Sequence, residues 1–516
     1  QGFVNVRESR EETVLSITSG ELPGWLKGEL FTVGPGLFDV SYTRQGENGP
    51  ETRQYTFGHW FDSRITARKL ESKIRENGGY QPDRPGTLFR SDTNQSFFAG
   101  LLRSASRKLK PEAEACGAMI HTRFPIFGET EYIYCQNQSN LVQQLDPYDL
   151  TPKKIFSWET LNPLFKGAQA APHARYDPRT GEMITVTMDI GYTSTDYHIC
   201  ALTTRDRDAS GQRIYTLNHP RPSLVHSFAI TPRYIILVLF PFYSNMSGLK
   251  YHWGASQLDA LTFYPEEQTT FYVISRAERQ LVGSYKTDAC FALHHINAFE
   301  DEIDGIQVDM VCYDNDLVAR QLVLDNMRNP QQLGRLASGE VRRYELLRIG
   351  EERTKITVLA PGAYQPTTCY YVRLIDSCME LPCVNPRYIG SPYRYVYGIS
   401  LSLSATNKPG SIWDTIVKAD LDSCIASAYW HRPDCYPGEP VFVPNRHVDV
   451  DRSEVFISDQ EDDGVLLTVV YDATRHCSAL VVIDARNMTE LASVDLPHAI
   501  PPAFGHGSFL DAHAPQ

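Results

Sequence analysis

The sequence predicts an all-β fold, because short β-rich runs recur along the chain with turn residues between them and few helical patterns. Such runs span residues 131–135, 183–188, 234–240, 271–274, 306–311 and 465–471. Strands at this density are typical of a sandwich, a barrel or a propeller. Since no segment repeats with a fixed period, the pattern alone does not choose between these three architectures.

Length and composition limit the classes of protein that remain. The chain has 516 residues and shows no stretch with the composition of a linker, so we expect one domain over 1–516. A net charge of −13 argues against a nucleic-acid partner, which would favour a basic face. The 11 cysteines form no CxxC pair, and this odd, unpatterned set predicts a reducing, cytoplasmic location.

Three stretches carry local structural signals. Residues 30–33 are strand-like and are followed by a Gly-Pro-Gly turn at 34–36, which is not a phosphate loop because no helix follows it. The longest apolar run, 234–243, is too short to span a bilayer and contains a proline, so it predicts a buried strand. Residues 332–353 are dense in charge and predict an exposed loop or the edge of a blade.

An apolar cluster between positions 94 and 110 is followed at once by basic residues. The apolar part consists of Phe97, Phe98, Leu101 and Leu102, and Arg103 opens the basic part. An apolar wedge backed by a basic cluster is the composition of a segment that lies at a membrane surface. A core helix with a solvated end has the same composition, so the residues alone leave both interpretations open.

Several of the 15 histidines have no charged residue as an immediate neighbour, among them His173, His226, His294 and His506. His294 ends an apolar run that starts at Phe291 and predicts an inner strand leading into a turn. Separations of 53, 68 and 212 residues mean that only a fold that brings distant strands to one axis could join them around a metal. Four neutral imidazoles would suit Fe(II), Zn, Cu or Ni. From the residues alone, buried and hydrogen-bonded core histidines remain the simpler interpretation.

Further motifs follow one another along the chain: Leu22-Pro23 to Gly36, His59-Trp60-Phe61-Asp62, Glu380-Leu381-Pro382, Gly438-Glu439-Pro440-Val441-Phe442-Val443-Pro444 and Glu461-Asp462-Asp463-Gly464. Together with the four histidine contexts, they resemble the carotenoid cleavage oxygenases over nearly the whole chain. Among the subfamilies, the chain is most similar to the fungal torulene and apocarotenoid dioxygenases. The resemblance implies a seven-bladed β-propeller with a helical and loop cap over its top face. It places the cap and membrane-contact insertion at roughly 94–125.

The resemblance also implies a non-haem Fe(II) centre without a carboxylate ligand, held by His173, His226, His294 and His506. His294 is preferred to His295 because the family's ligand stands three residues before an asparagine, here Asn297. His295 is then a packing or hydrogen-bonding neighbour.

Three glutamates around the metal ligands belong to the same implied site. Each accepts an N–H from a metal-bound imidazole, which fixes the tautomer and the orientation of the ring. Glu380 and Glu439 match two of them, and Gln138 stands at the third position. An amide oxygen can still accept the hydrogen bond, but it carries no charge. Smaller departures are Ser63, where a glycine is usual, and Ala174, where a proline is usual.

The implied activity is the addition of O2 across one C=C bond of an apolar polyene, with two carbonyl products, which are aldehydes unless a substituted carbon is cut. The implied substrate is a carotenoid or an apocarotenoid of the torulene or β-apocarotenal type. Alternatives are a retinoid isomerohydrolase on the same site, a stilbene-cleaving dioxygenase and a metal-free carotenoid-binding propeller. The polyene, the bond that is cut and the oligomeric state remain open.

Substrates of this class lie in membranes or lipid droplets, which bears on the apolar cluster near residue 100. The resemblance implies a cytoplasmic enzyme that docks monotopically on a membrane or droplet surface. It therefore favours membrane contact through Phe97, Phe98, Leu101 and Leu102 over a core helix.

Overall fold

The structure of the protein is a computed structural model. It describes residues 2–6, 12–34, 36, 38–46, 49–56, 119–122, 124, 132–191, 193–203, 210–244, 257–359, 363–406, 408–449, 454–502 and 506–512. The motif at 59–62 and the predicted membrane contact of Phe97, Phe98, Leu101 and Leu102 lie outside the described residues. Most of the predicted cap insertion at 94–125 lies outside them as well.

Short strands make up most of the described chain, as the sequence predicts. The first are β1 Ser19–Gly20, β2 Gly28–Thr32, β3 Asp39–Gly46, β4 Gly49–Thr56, β5 Met119–His121, β6 Ile133–Gln136, β7 Leu141–Leu145, β8 Pro152–Ser157, β9 Gln169–Ala170, β10 Arg175–Asp177, β11 Glu182–Ile190, β12 Thr195–Thr203 and β13 Ser210–His219. They are followed by β14 Ala229–Ile230, β15 Tyr234–Leu239, β16 Phe242–Ser244, β17 Leu261–Phe263, β18 Thr269–Ser275, β19 Gln280–Thr287, β20 His295–Glu300, β21 Ile306–Cys312, β22 Glu340–Leu346, β23 Thr367–Thr368 and β24 Tyr371–Arg373. The C-terminal part contains β25 Glu380–Cys383, β26 Tyr395–Ser400, β27 Thr415–Asp420, β28 Ile425–His431, β29 Cys435–Pro437, β30 Val441–Pro444, β31 Arg446–Asp449, β32 Glu454–Ile457, β33 Gly464–Asp472, β34 Cys477–Asp484, β35 Glu490–Asp495 and β36 Gly507–Asp511.

The helices of the described chain are short. They are α1 Trp158–Leu161, α2 Gln257–Ala260, α3 Leu317–Gln321, α4 Leu324–Arg328, α5 Pro330–Leu333, α6 Ile349–Val358, α7 Leu403–Thr406 and the 3-10 turn Pro386–Tyr388. Within the part of the chain that the structure describes, no helix has the length and apolar character needed to cross a membrane. These short helices do not confirm the predicted helical cap.

Six sheets of four to six strands form the blades of a β-propeller. In strand order they are β5-β6-β7-β8; β10-β11-β12-β13 with β9 on β11; β14-β15-β18-β19-β23; β20-β21-β22-β24; β25-β26-β27-β28; and β1-β35-β34-β33-β29 with β30 on β33. The expected seven blades are thus one too many for the described residues. The remaining strands of the described residues form four two-stranded sheets: β2-β36, β3-β4, β16-β17 and β31-β32.

The two ends of the chain meet at two places. Strand β1 adds to the last blade by antiparallel pairing of Ser19 with Ser493, next to β35. Strand β2 pairs with β36 from Gly28 opposite Asp511 to Thr32 opposite Gly507. These pairings join the first strands of the described chain to its last ones.

The predicted β-rich runs all form strands, but the charged stretch at 332–353 is not an exposed loop or a blade edge. It contains β22, which pairs with β21 on one side and β24 on the other. Ion pairs let charged residues enter this inner position: Arg342 lies 2.6 Å from Asp314, and Arg343 lies 2.7 Å from Asp309. Charge density is thus a poor guide to exposure where each guanidinium has a carboxylate opposite it.

The segment around His294 also differs from its prediction. Strand β20 begins at His295, so the apolar run from Phe291 precedes the strand instead of forming it. Phe291 makes an isolated bridge to Tyr313, and a bulge interrupts the pairing between His295 and Asn297. This irregular backbone places His294 at the entrance of the strand, next to the propeller axis.

Candidate metal centre

The four predicted histidines stand just before or at the start of strands that lie next to the propeller axis. His173 precedes β10 by two residues and His226 precedes β14 by three, while His294 and His506 come directly before β20 and β36. The strands β10, β14 and β20 are each an edge strand of a different sheet. Because blades surround a common axis, the beginnings of these edge strands meet there even though they are far apart in sequence.

The structure brings the four imidazoles together in one buried cluster. A ligand nitrogen from each of His173, His226, His294 and His506 lies within 4.8 Å of the others. The Nε2 atoms of His173 and His226 are 3.1 Å apart. His294, and not His295, belongs to the cluster.

Burial favours the neutral form of two of these imidazoles. It lowers the pKa of His173 and of His226 well below the ordinary value, and the neighbouring imidazoles lower both further. Neutral imidazole is the form that binds a metal ion, so these rings need not lose a proton at neutral pH.

Glu380 orients His294. Its Oε2 lies 2.6 Å from Nδ1 of His294, and its Oε1 accepts a hydrogen bond of 2.7 Å from the Tyr313 hydroxyl. The backbone N–H of Leu381 donates to Oε2 at 2.8 Å. Burial raises the pKa of the Glu380 carboxyl, but the electrostatic interaction with the His294 ring and the donated hydrogen bonds outweigh it and lower that pKa overall. Since Nδ1 faces a carboxylate, Nε2 of His294 points to the centre of the cluster.

Glu439 orients His506 in the same way. Its Oε1 lies 2.7 Å from Nδ1 of His506, and its Oε2 accepts the backbone N–H of Gly507 at 2.8 Å. Each of these two carboxylates therefore holds one ring and one neighbouring backbone group. The two glutamates found by resemblance thus both lie where they can fix an imidazole tautomer.

Gln138 does not make the hydrogen bond expected of it. Its Nε2 donates to the carbonyl of Val225, the residue before His226, at 2.9 Å. Oε1 of Gln138 and Nδ1 of His226 are both buried, and neither has a hydrogen-bond partner in the described chain. A carboxylate could not donate to Val225, so the amide is used here in a way that leaves His226 without an anionic neighbour.

The residues present fit a divalent transition metal. The Nε2 atom of His294 is buried without a hydrogen-bond partner among the described residues, and it lies among three other imidazoles. The Nε2 atoms of His173 and His226, 3.1 Å apart, are close enough to bind one ion together. Imidazole donors suit Fe, Zn, Cu and Ni, so the donor set alone does not choose the ion.

A cavity of about 490 Å³ adjoins the cluster. His173, His294 and His506 contribute to its wall, together with apolar side chains such as Ile296 and Phe442. This volume lies within the range of about 300–1,000 Å³ that is usual for small-molecule sites.

Four residues near the centre had no signal in the sequence: Tyr313, Arg175, Ser227 and His121. Tyr313 reaches Glu380 across 67 residues of chain. His121 is buried, lines the cavity, and has no partner for Nε2 in the described chain. Burial, with His506 nearby, lowers the pKa of His121 to about 4. The flanking residues of His121 resemble those of an ordinary buried strand, so only the tertiary structure places it at this site.

Comparison with known proteins places the chain among relatives. Residues 3–511 match the profile of the RPE65 family, described as retinal pigment epithelial membrane protein. A carotenoid dioxygenase of Neurospora crassa is 25% identical, over 100% of this chain and 90% of that protein. A torulene dioxygenase of Gibberella fujikuroi is 27% identical, over 99% of this chain and 93% of that protein. The solved structure of cobalt-substituted Synechocystis apocarotenoid oxygenase superposes with a TM-score of 0.70 at 20% identity, over 99% and 98% of the two chains, which shows a shared fold.

Proposed function

We propose that this chain, which belongs to the RPE65 and carotenoid oxygenase family, is a non-haem Fe(II) dioxygenase that cleaves a C=C bond of a carotenoid or apocarotenoid. The observation that carries the proposal is the buried cluster of His173, His226, His294 and His506. The products are two carbonyl compounds, aldehydes unless the cut carbon is substituted. The reaction balances because each atom of one O2 molecule ends in one of the two new C=O groups.

The four imidazoles would hold Fe(II), which supplies the redox chemistry with O2 that a closed-shell ion such as Zn(II) lacks. The protein's own part is position and environment. Glu380 and Glu439 fix the orientation of two imidazoles. The apolar wall of the cavity, with Ile296 and Phe442, suits a hydrocarbon chain, so the position of one double bond beside the centre selects the bond that is cut.

The named relatives support the choice of substrate. The Neurospora crassa relative is called a carotenoid dioxygenase and the Gibberella fujikuroi relative a torulene dioxygenase. By analogy, the substrate proposed here is a torulene-type carotenoid or a β-apocarotenal. We further propose that the chain works as one unit over 1–516, since the family profile matches nearly all of it.

The test is aerobic incubation of the iron-loaded full chain with a panel of carotenoids and apocarotenoids of different lengths. We expect shorter carbonyl products, consumption of one O2 per cleavage, and one labelled oxygen atom in each product when 18O2 is used. His226→Ala should abolish the products. His198→Ala is the matched control, because His198 is also buried but bonds Thr216 away from the centre.

Each alternative function gives a different outcome in this assay. Isomerised retinoid without O2 consumption would identify an isomerohydrolase, and cleaved stilbenes with intact carotenoids would identify a stilbene dioxygenase. Carotenoid binding without stoichiometric iron, and unchanged in His226→Ala, would identify a metal-free binding propeller. Any of these results would overturn the proposal.

We also infer peripheral contact with a membrane or lipid droplet, by a cytoplasmic protein, through Phe97, Phe98, Leu101 and Leu102. The support is the apolar cluster backed by basic residues in the sequence, and the insolubility of the proposed substrate in water. Flotation with liposomes tests it, and replacing the four residues with serine should abolish flotation. Serine at the exposed Leu403 and Tyr148 is the control. Unchanged flotation of the folded fourfold variant would refute the contact.

A further inference from the structure

A network of hydrogen bonds joins the three chain segments that carry His173, His226 and His294. These segments lead into β10, β14 and β20, which belong to three different sheets. The strand ladders therefore do not connect them, and among the described residues one long hydrogen bond, from His173 N to His226 O at 3.4 Å, is the backbone link between two of the ligand residues. Any firmer connection has to come from side chains.

Arg175 is the first side chain that makes such a connection. It follows His173 by two residues, and its Nε donates to the carbonyl of Phe228 at 3.2 Å. Its Nη2 donates to the carbonyl of His295 at 2.9 Å. Phe228 is two residues beyond His226, and His295 is next to His294. The planar guanidinium thus spans all three segments, with a fixed fork that a single ammonium group does not have.

Ser227 is the second side chain that connects these segments. Its hydroxyl donates to the carbonyl of Leu293 at 2.6 Å and accepts the backbone N–H of His295 at 3.0 Å. Nδ1 of His295 lies 2.7 Å from the same oxygen, and since the Ser227 proton is already donated, Nδ1 must be the donor. Ser227, the neighbour of His226, therefore holds both residues that flank His294.

We propose that Arg175 and Ser227 are positioning residues that set the spacing of the His173, His226 and His294 imidazoles before a metal ion binds. The inference rests on the metal-centre part of the proposed function. Buried nitrogens that share one ion must be held within a few tenths of an ångström of the binding geometry, and the residues around the ligands supply that precision. His506 stands outside this network, because its Nδ1 faces Glu439.

His295 is not a ligand, but it is part of this hydrogen-bond network. His295 lies outside the ligand cluster, yet its backbone N–H, its backbone carbonyl and its Nδ1 each hold one bond of the network. Through these bonds His295 connects the segment of His294 to Arg175 and Ser227, which belong to two other blades.

The experiment uses the full chain stripped of metal and titrated with Co(II), whose absorption bands report the ligand geometry. Arg175→Gln and Ser227→Ala should each weaken Co(II) binding about 10- to 100-fold, and shift the bands. Arg175→Lys should recover part of the affinity, since an ammonium reaches one carbonyl, and Ser227→Thr should recover most of it because the hydroxyl is kept.

Arg276→Gln is the matched control. The Arg276 side chain is 9% exposed and joins two of the same three blades, with bonds of 2.6 Å to Asp177 and 3.1 Å to the carbonyl of Thr231, but it bonds none of the residues next to the histidines. Arg276→Gln should lower the thermal midpoint of the metal-free protein while Co(II) affinity and spectrum stay unchanged.

Two results would overturn the inference. The first is Co(II) binding within twofold of wild type, with an unchanged spectrum, in Ser227→Ala and in folded Arg175→Gln or Arg175→Lys. The second is an equal loss of affinity in Arg276→Gln, which would mark a general effect of stability. Absence of Co(II) binding by the wild-type chain would instead refute the metal centre of the proposed function, so the two failures are distinguishable.

Discussion

Replacement of Glu380 by glutamine tests how much the orientation of one imidazole contributes to the metal centre. Glu380 is 1% exposed and receives three hydrogen bonds, from His294, Tyr313 and Leu381. Hydrogen bonds to a charged group contribute about 1.5–3 kcal/mol each, and neutral ones about 0.5–1.5 kcal/mol. The amide keeps one acceptor oxygen, so its NH2 group must face a donor in Glu380→Gln.

We expect Glu380→Gln to weaken metal binding about 10- to 100-fold, or about 1.4–2.7 kcal/mol, because the carboxylate no longer orients the imidazole or raises its basicity. Glu439→Gln should have a smaller effect, near tenfold, since Glu439 receives two hydrogen bonds and its side chain is 12% exposed. The assay is competition between the metal-stripped full chain and a chelator for Fe(II) under anaerobic conditions, followed by turnover with O2.

Glu352→Gln is the control for stability. Glu352 is also 1% exposed and receives three hydrogen bonds, from Lys355, Tyr364 and Thr367, far from the histidines. It should lower the free energy of unfolding without changing metal affinity. Metal binding within twofold of wild type in Glu380→Gln, or an equal loss in Glu352→Gln, would refute the orienting role of Glu380.

Three further outcomes follow from the same contacts. Tyr313→Phe removes a hydrogen bond to the Glu380 carboxylate and should lower the free energy of unfolding by about 1.5–3 kcal/mol in urea titrations. Tyr393→Phe is the control and should lower it equally, because the Tyr393 hydroxyl donates to Asp309 at 2.7 Å. Metal affinity should fall only in Tyr313→Phe, and an equal effect of both variants would contradict the link to the centre. In Gln138→Glu, the new carboxylate should accept a hydrogen bond from Nδ1 of His226 and tighten metal binding about tenfold. The buried charge should destabilise the metal-free protein. Unchanged or weaker binding in the chelator assay would contradict this prediction. The metal-free protein should lose stability below pH 6.5. In the folded protein, burial lowers the pKa of four histidines: His121, His173, His226 and His295. In the unfolded chain each of them takes up a proton near its ordinary pKa, so acid favours unfolding. Between pH 6.5 and 5.5 each of these histidines should lower the free energy of unfolding by about 1 kcal/mol. An unchanged urea midpoint over this range would refute the prediction that these histidines are neutral in the folded protein.

Local patterns in the sequence predict the strands well, because alternation and β-branched runs are properties of neighbouring residues. The run at 234–240 is buried β15, and the runs at 183–188 and 465–471 are β11 and β33. The charged stretch at 332–353 is the exception. Arg343, for example, pairs with Asp309 of the neighbouring strand across 34 residues, and no local pattern reveals such a partner.

Resemblance, rather than spacing, identified the candidate site. Four histidines separated by 53, 68 and 212 residues carry no local ligand motif, but family motifs pointed to them and to Glu380 and Glu439. The structure brings the four imidazoles together and sets a carboxylate on two of them. Gln138 shows where motif matching stops, because its position was identified but its hydrogen-bond partner was not.

The sequence by itself determined an all-β chain with buried strands, and, through its motifs, the histidines and glutamates of a candidate metal centre. Only the tertiary structure decided the number of blades among the described residues, the direction of Gln138, and the side chains that tie the ligand segments together. The physical reason is distance along the chain. Arg175 holds His295 across 120 residues, and Ser227 holds Leu293 across 66, so these bonds exist only once the blades have closed around their axis.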